Sequence, residues 1–153
     1  MINAKEALKM ASEVVKERES EKIKKQLEEN AMELEPVLIL NPANYSESLT
    51  DMLYELGCAF ILQDGNVVVY LYDYEIDGSY MHSVFLKVNE LKDKLEKGTE
   101  DAIVKAAKSG KNTTVYGIMG RLSENEINYL QNALEREDYH VIYNQEGDMV
   151  ISW

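Results

Sequence analysis

Residues 3–34 contain neither Gly nor Pro, and their apolar positions recur at helical spacing until Pro36, which has no amide hydrogen to continue a helix. The pattern predicts one long N-terminal helix, ~48 Å if continuous. Its apolar stripe falls into two groups. Leu8, Ala11 and Val15 come first, then Ile23, Leu27, Ala31 and Leu34, with polar residues throughout 16–22 between them. The second group is expected to pack on the body of the protein, and residues 1–20 to project from it.

Val37-Leu38-Ile39-Leu40 follows as a short apolar run bounded by breakers, the signature of a buried strand. Residues 46–56 carry Leu49, Met52, Leu53 and Leu56 at helical spacing and stop at Gly57, which suits the left-handed conformation that ends many helices. Two apolar β-type runs, 58–62 and 67–72, flank Asp64-Gly65, a hairpin signal. Residues 80–88 fit two readings. A second hairpin at Asp77-Gly78 would lead into a strand with His82, Val84, Leu86 and Val88 on one face. A helix would instead use Met81, Val84, Phe85, Val88, Leu91 and Leu95. The strand reading, followed by a helix capped by Asn89 and ended by Gly98, is favoured.

Residues 99–109 then predict a short helix closed by Gly110, and 113–118 a strand. Ser123-Glu124-Asn125-Glu126 is a capping box opening a helix to about residue 137, and a hairpin turns near Gly147 between 139–143 and 149–153. Helix, strand, helix and hairpin thus occur twice, once over about residues 21–72 of a first unit spanning 21–98 and once over a second unit, 99–153, with Ser46 paralleling Ser123. This element order predicts an α+β fold of two units related by internal duplication. Each unit should hold a mixed sheet built on a parallel crossover, with helices mainly on one face. Leu38, Leu40, Leu53, Ile61, Val68, Val115, Ile127, Leu130, Ile142 and Ile151 are the expected core.

Composition narrows the function classes. Sixteen Lys and Arg against 28 Asp and Glu give the 153-residue chain a net charge of −12, which disfavours direct binding to a phosphate backbone. The single cysteine, Cys58, lies in an apolar run and reads as a core thiol, with no second cysteine to bridge. No basic or apolar leader opens the chain and no run reaches the length of a membrane span, so neither secretion nor membrane insertion is expected. His82 and His140 lack neighbours at metal-ligand spacing, and no nucleophile motif is present, so no metal, cofactor or catalytic residue is assigned. Gly120, Arg121 and Ser123, where a strand gives way to a helix, form a weak candidate anion site. Leu8, Ala11 and Val15 on the first helix, with Tyr70 and Tyr72 of a ten-tyrosine set, form a candidate interface to a protein partner or a second copy.

The opening Met1-Ile2-Asn3-Ala4-Lys5-Glu6-Ala7, the acid-rich helix after it, and the Ser-capped helix and hairpin ending Ile151-Ser152-Trp153 resemble short uncharacterised proteins of tailed bacteriophages. The segment from about Pro36 to Gly98 departs from that pattern and reads as a second copy of the unit. The resemblance implies a context, the cytoplasm of an infected host cell or the virion, and carries no activity to any residue. The resulting expectation is a non-enzymatic interaction module, virion-associated or acting in assembly. The alternative is an inhibitor of a host defence factor or a nucleotide-sequestering protein.

Overall fold

The computed structural model describes residues 1–46 and 48–153. In chain order the elements are α1 (Ala4–Met32), β1 (Val37–Leu40), a 3-10 turn (Pro42–Asn44), α2 (Leu49–Glu55), β2 (Ala59–Gln63), β3 (Asn66–Tyr70), α3 (Tyr80–Lys108), β4 (Thr113–Tyr116), α4 (Glu124–Arg136), β5 (His140–Tyr143) and β6 (Met149–Ser152). They form two compact units, Met1–Val88 and Asn89–Trp153. The division falls inside α3 and not at Gly98. Residue 47 lies outside the described residues; the helix expected from residue 46 is capped by Ser48, whose side chain accepts from the Asp51 amide. Ser48, not Ser46, is therefore the residue that caps α2, as Ser123 caps α4.

Each unit holds a three-stranded antiparallel sheet, ordered β1-β3-β2 in the first and β4-β6-β5 in the second. The expected mixed sheets are thus corrected. β1 and β2 do run in the same direction, but β3 lies between them and is antiparallel to both, with Val37 and Ala59 each opposite Tyr70. The tight Asp64-Gly65 turn, with both residues at positive φ, folds β3 directly onto β2. β3's other edge then takes β1 in the straighter antiparallel bonding pattern. β6 stands between β4 and β5 in the same way.

A second correction concerns the middle of the chain. Residues 80–88 are helix, and α3 continues without a break through Asn89 and Gly98 to Lys108. The helical period of Met81, Val84 and Val88 prevails because all three side chains enter the core of the first unit. Asp77-Gly78 turns the chain into that helix, where the Gly78 amide donates to His82 Nδ1 at 2.8 Å. Gly98 does not end the helix. A Cβ there would overlap the hydroxyl of Tyr116, so the glycine makes room for a tyrosine of β4.

In the first unit, Ile23, Leu27 and Ala31 of α1 pack with Leu49, Met52 and Leu53 of α2, Val67 and Val69 of β3, and the start of α3. In the second unit Leu95, Ile103, Leu130, Leu134, Val141, Met149 and Ile151 are buried. Of the expected core, Leu40, Leu53, Leu130 and Ile151 are buried, and Leu38, Val68 and Ile127 are half-buried. Ile61, Val115 and Ile142 instead face solvent at 44%, 57% and 51% exposure. β2 and β5 carry apolar residues on both faces, and in β4 Val115 stands between Thr114 and Tyr116, so alternation could not tell one register from its one-residue slip.

The two units share more than element order. α1 and α3 are both 29 residues long, and each is followed by a four-residue strand beginning at the fifth residue after the helix. Past each helix the chain turns through a left-handed residue, Leu34 or Gly110. The next amide donates back to a helical carbonyl, Glu35 to Asn30 and Lys111 to Ala106. α2 and α4 likewise end through Gly57 and Asp138, with Cys58 bonded to Leu53 and Tyr139 to Leu134. Counting from these shared turns sets Ile23 beside Thr99, Leu27 beside Ile103, Leu49 beside Leu130 and Leu53 beside Leu134.

Candidate interaction site

α1 is packed only along its second half; ahead of it Lys16 makes an exposed ion pair with Glu55 of α2 at 3.8 Å. From residue 19 onward it is held by Ser46, whose amide and hydroxyl both donate to Glu19 Oε1 at 2.9 Å, and by the buried Ile23, Leu27 and Ala31. Residues 1–18 are exposed throughout, including Leu8 at 69% and Val15 at 41%. Met10 and Val14 are exposed as well, on another side of the helix from Leu8, Ala11 and Val15. The helix start is nonetheless fixed locally. Asn3 accepts from the Glu6 amide and Glu6 accepts from the Asn3 amide, each at 2.9 Å, forming a capping box. That Asn-x-x-Glu signal stands in the sequence beside the candidate interface residues and escaped the sequence reading. Leu8, Ala11 and Val15 therefore sit together on a preformed, water-facing stretch of helix.

The tyrosines expected to share this role are elsewhere. Tyr70 is half-buried at the end of β3, and Tyr72 is exposed just beyond it. Tyr74 stacks on His82 with ring centres 4.4 Å apart, and Tyr80 donates to the Lys24 carbonyl at 2.9 Å and to Glu28 at 3.2 Å. Tyr80 thus fastens α3 to α1, whereas Tyr74 packs on α3 itself. Lys87 adds a 2.7 Å bond to Glu28, and that bond is the main cause of a carboxyl pKa below its ordinary value.

The candidate anion loop is occupied by the protein's own groups. The amides of Ile118 and Met119, which leave β4, both donate to Asp148 Oδ1, at 2.9 and 3.2 Å. Gly120 takes a left-handed turn, and Ser123 and Glu126 form the capping box of α4. The Arg121 guanidinium lies 5.5 Å from the centre of the Tyr116 ring. The Asp148 carboxylate thus takes the two amides that precede Gly120, Arg121 and Ser123.

A groove of about 420 Å³ opens in the second unit between the C-terminal half of α3 and α4. Its lining includes the buried Thr99, Ile103, Leu130 and Leu134, together with the carboxylates of Glu96, Glu100 and Glu137. Tyr129 donates to Glu96 at 3.0 Å, and burial with this bond pushes its phenol up to about 12. The sequence could not show this groove, because its walls come from residues about thirty positions apart.

The chain matches no known family model, no curated protein and no solved structure. Chemistry must therefore be read from the residues themselves. Cys58 is buried, and burial pushes its thiol up to about 12, so the nucleophilic thiolate is suppressed at neutral pH. Among the described residues no three His, Cys, Asp or Glu side chains converge as metal ligands, and no helix is long and apolar enough to cross a membrane.

Proposed function

We propose that this chain is a protein-interaction module that works through the exposed first half of α1 and not through catalysis. The observation that carries the reading is a capped helix presenting Leu8, Ala11 and Val15 to water while the rest of the same helix is packed. An isolated helix of this length is marginal in water and gains most of its stability from a partner for its apolar face. Exposed apolar stripes of this kind are a usual mark of an interaction site.

The biological setting we propose, a tailed-phage particle or its assembly in the cytoplasm of an infected cell, rests on the resemblance at the two ends of the chain. We also propose that the two units arose by duplication, with the helices of each covering one face of its sheet. The repeated strand order and matching helix-end turns support the first statement. The buried Val67 and Val69, and the buried Met149 and Ile151, each alternating with less buried neighbours, support the second.

Mass spectrometry of purified particles tests the setting, with stoichiometric recovery of the chain as the expected result. Deleting residues 1–16 should remove it from the particle. Absence of the intact chain from particles would move the reading to an inhibitor acting in the infected cell.

A further inference from the structure

The first unit shows what the groove of the second is shaped to hold. There the first two turns of α3 lie against α1 and α2: the Met81 amide donates to the Leu56 carbonyl at 3.0 Å, Tyr80 bonds the Lys24 carbonyl, and Met81, Val84 and Val88 are buried. The seat they occupy lies in a core shared with Ile23 and Leu27 of α1 and with Leu49, Met52 and Leu53 of α2. Counting from the shared helix-end turns, the second unit has Thr99 and Ile103 at the first pair of positions and Leu130, Ala133 and Leu134 at the next three. Those five residues line the groove. Glu137, which also lines it, stands where Leu56 receives Met81. The groove thus lies at the second unit's equivalent of that seat, with Thr99, Ile103, Leu130 and Leu134 already buried beneath it.

We infer that this seat takes the first half of α1 from a second copy of the chain, joining copies head to tail. The inference rests on the reading of α1 as a docking arm and names its partner. Two features select this occupant. Leu8, Ala11 and Val15 repeat the three-then-four spacing of Met81, Val84 and Val88, the residues that fill the seat in the first unit. Charge agrees as well. Residues 1–18 carry four basic side chains, Lys5, Lys9, Lys16 and Arg18, against the three acidic Glu6, Glu13 and Glu17, in a chain whose net charge is −12. The groove offers Glu96, Glu100 and Glu137. Opposite charges at the edge of such a contact steer encounter and fix register. An arm on one copy and a seat on the next make a heterologous interface, which propagates into a ring or a filament.

Sedimentation of the full-length chain over a concentration series tests this. The wild type should show species above the 17.5 kDa monomer that grow with concentration. Leu8→Glu spoils the arm and Ala133→Arg fills the seat, and each alone should weaken self-association by at least ~10-fold. Mixed together, the two variants should form a 1:1 dimer that grows no further, because only one intact arm and one intact seat remain. Circular dichroism checks that both variants fold, and Glu100→Lys on the exposed side of the groove replaces Ala133→Arg should that variant unfold. A wild type that stays monomeric, or a mixture that does, overturns the inference. Loss of association with Leu8→Glu but not with the seat variants leaves the arm reading intact and removes the seat. Association unaffected by all of them removes both.

Discussion

At the scale of single residues, burial separates side chains that the sequence pattern treats alike. Leu130 is fully buried and Val115 is exposed, although both sit at apolar positions expected to point inward. Leu130→Ala should cost about 2–5 kcal/mol, the usual range for a buried leucine, whereas Val115→Ala should stay within about 0.5 kcal/mol. Denaturant midpoints of the two variants check this, and equal shifts would reverse the register assigned to β4. Ionisation follows the same burial. The Cys58 thiol rises from an ordinary 9.0 to about 12 through burial, and the Tyr80 phenol from 10.0 to about 12 through burial and the neighbouring Glu28 carboxylate. Tyr129 rises to about 12 through burial and Glu96. In all three the fold favours the protonated form, so their contribution is complete below the ordinary values and is lost as pH climbs towards 12. Urea midpoints should therefore fall steadily above about pH 9, and Tyr129→Phe should shallow that fall. A profile unchanged by the substitution would show that Tyr129 is as solvated in the fold as in the unfolded chain.

At the scale of elements, helices were legible where caps and periods agree and illegible where a contact distant in sequence decides. The Ser123 capping box, the end of α1 before Pro36 and the two hairpins follow from local chemistry, and the structure has them. The course of α3 does not. Gly98 looks like a helix end from its neighbours, and only the hydroxyl of Tyr116, eighteen positions away, explains why a glycine is needed inside a continuous helix. Replacing an interior helical glycine by alanine ordinarily stabilises by ~0.5–1 kcal/mol. Here Gly98→Ala should lower the melting temperature because its methyl meets that hydroxyl, and the same change in a Tyr116→Phe background should raise it. A gain in both backgrounds would mean that Tyr116 can move aside at no cost. The arm of α1 behaves in the opposite way, since its exposed residues touch little. Deleting residues 1–16 removes the exposed Lys16–Glu55 pair at 3.8 Å, a contact of ~0–1 kcal/mol, and the melting temperature should hardly move. A sharp drop would put Leu8 and Val15 in the core.

At the scale of the whole molecule, the chain forms two compact units, and element order did not give their sheets. The crossover rule describes how strands returning in the same direction are joined; it does not say whether a third strand slips between them. Here the hairpin strand does so in both units, so the two sheets share one strand order. The arrangement also divides stability. Leu53 is fully buried among residues of Met1–Val88, and Leu130 is fully buried in Asn89–Trp153. Each unit closes its own sheet, so each should open as its own cooperative block. Leu53→Ala should then speed amide hydrogen exchange mainly in β1, β2 and β3, and Leu130→Ala mainly in β4, β5 and β6. α3 is the one element common to both, and its halves should separate in the same experiment: residues 81–88 should follow the first sheet and residues 95–106 the second. Where a substitution speeds exchange across both sheets alike, α3 transmits the loss and the chain opens as a single block. Where the sheets respond separately, the junction after Val88 is a seam within a continuous helix, and a helix start seated on one unit's core while its remainder belongs to the next becomes the rule by which these units are joined.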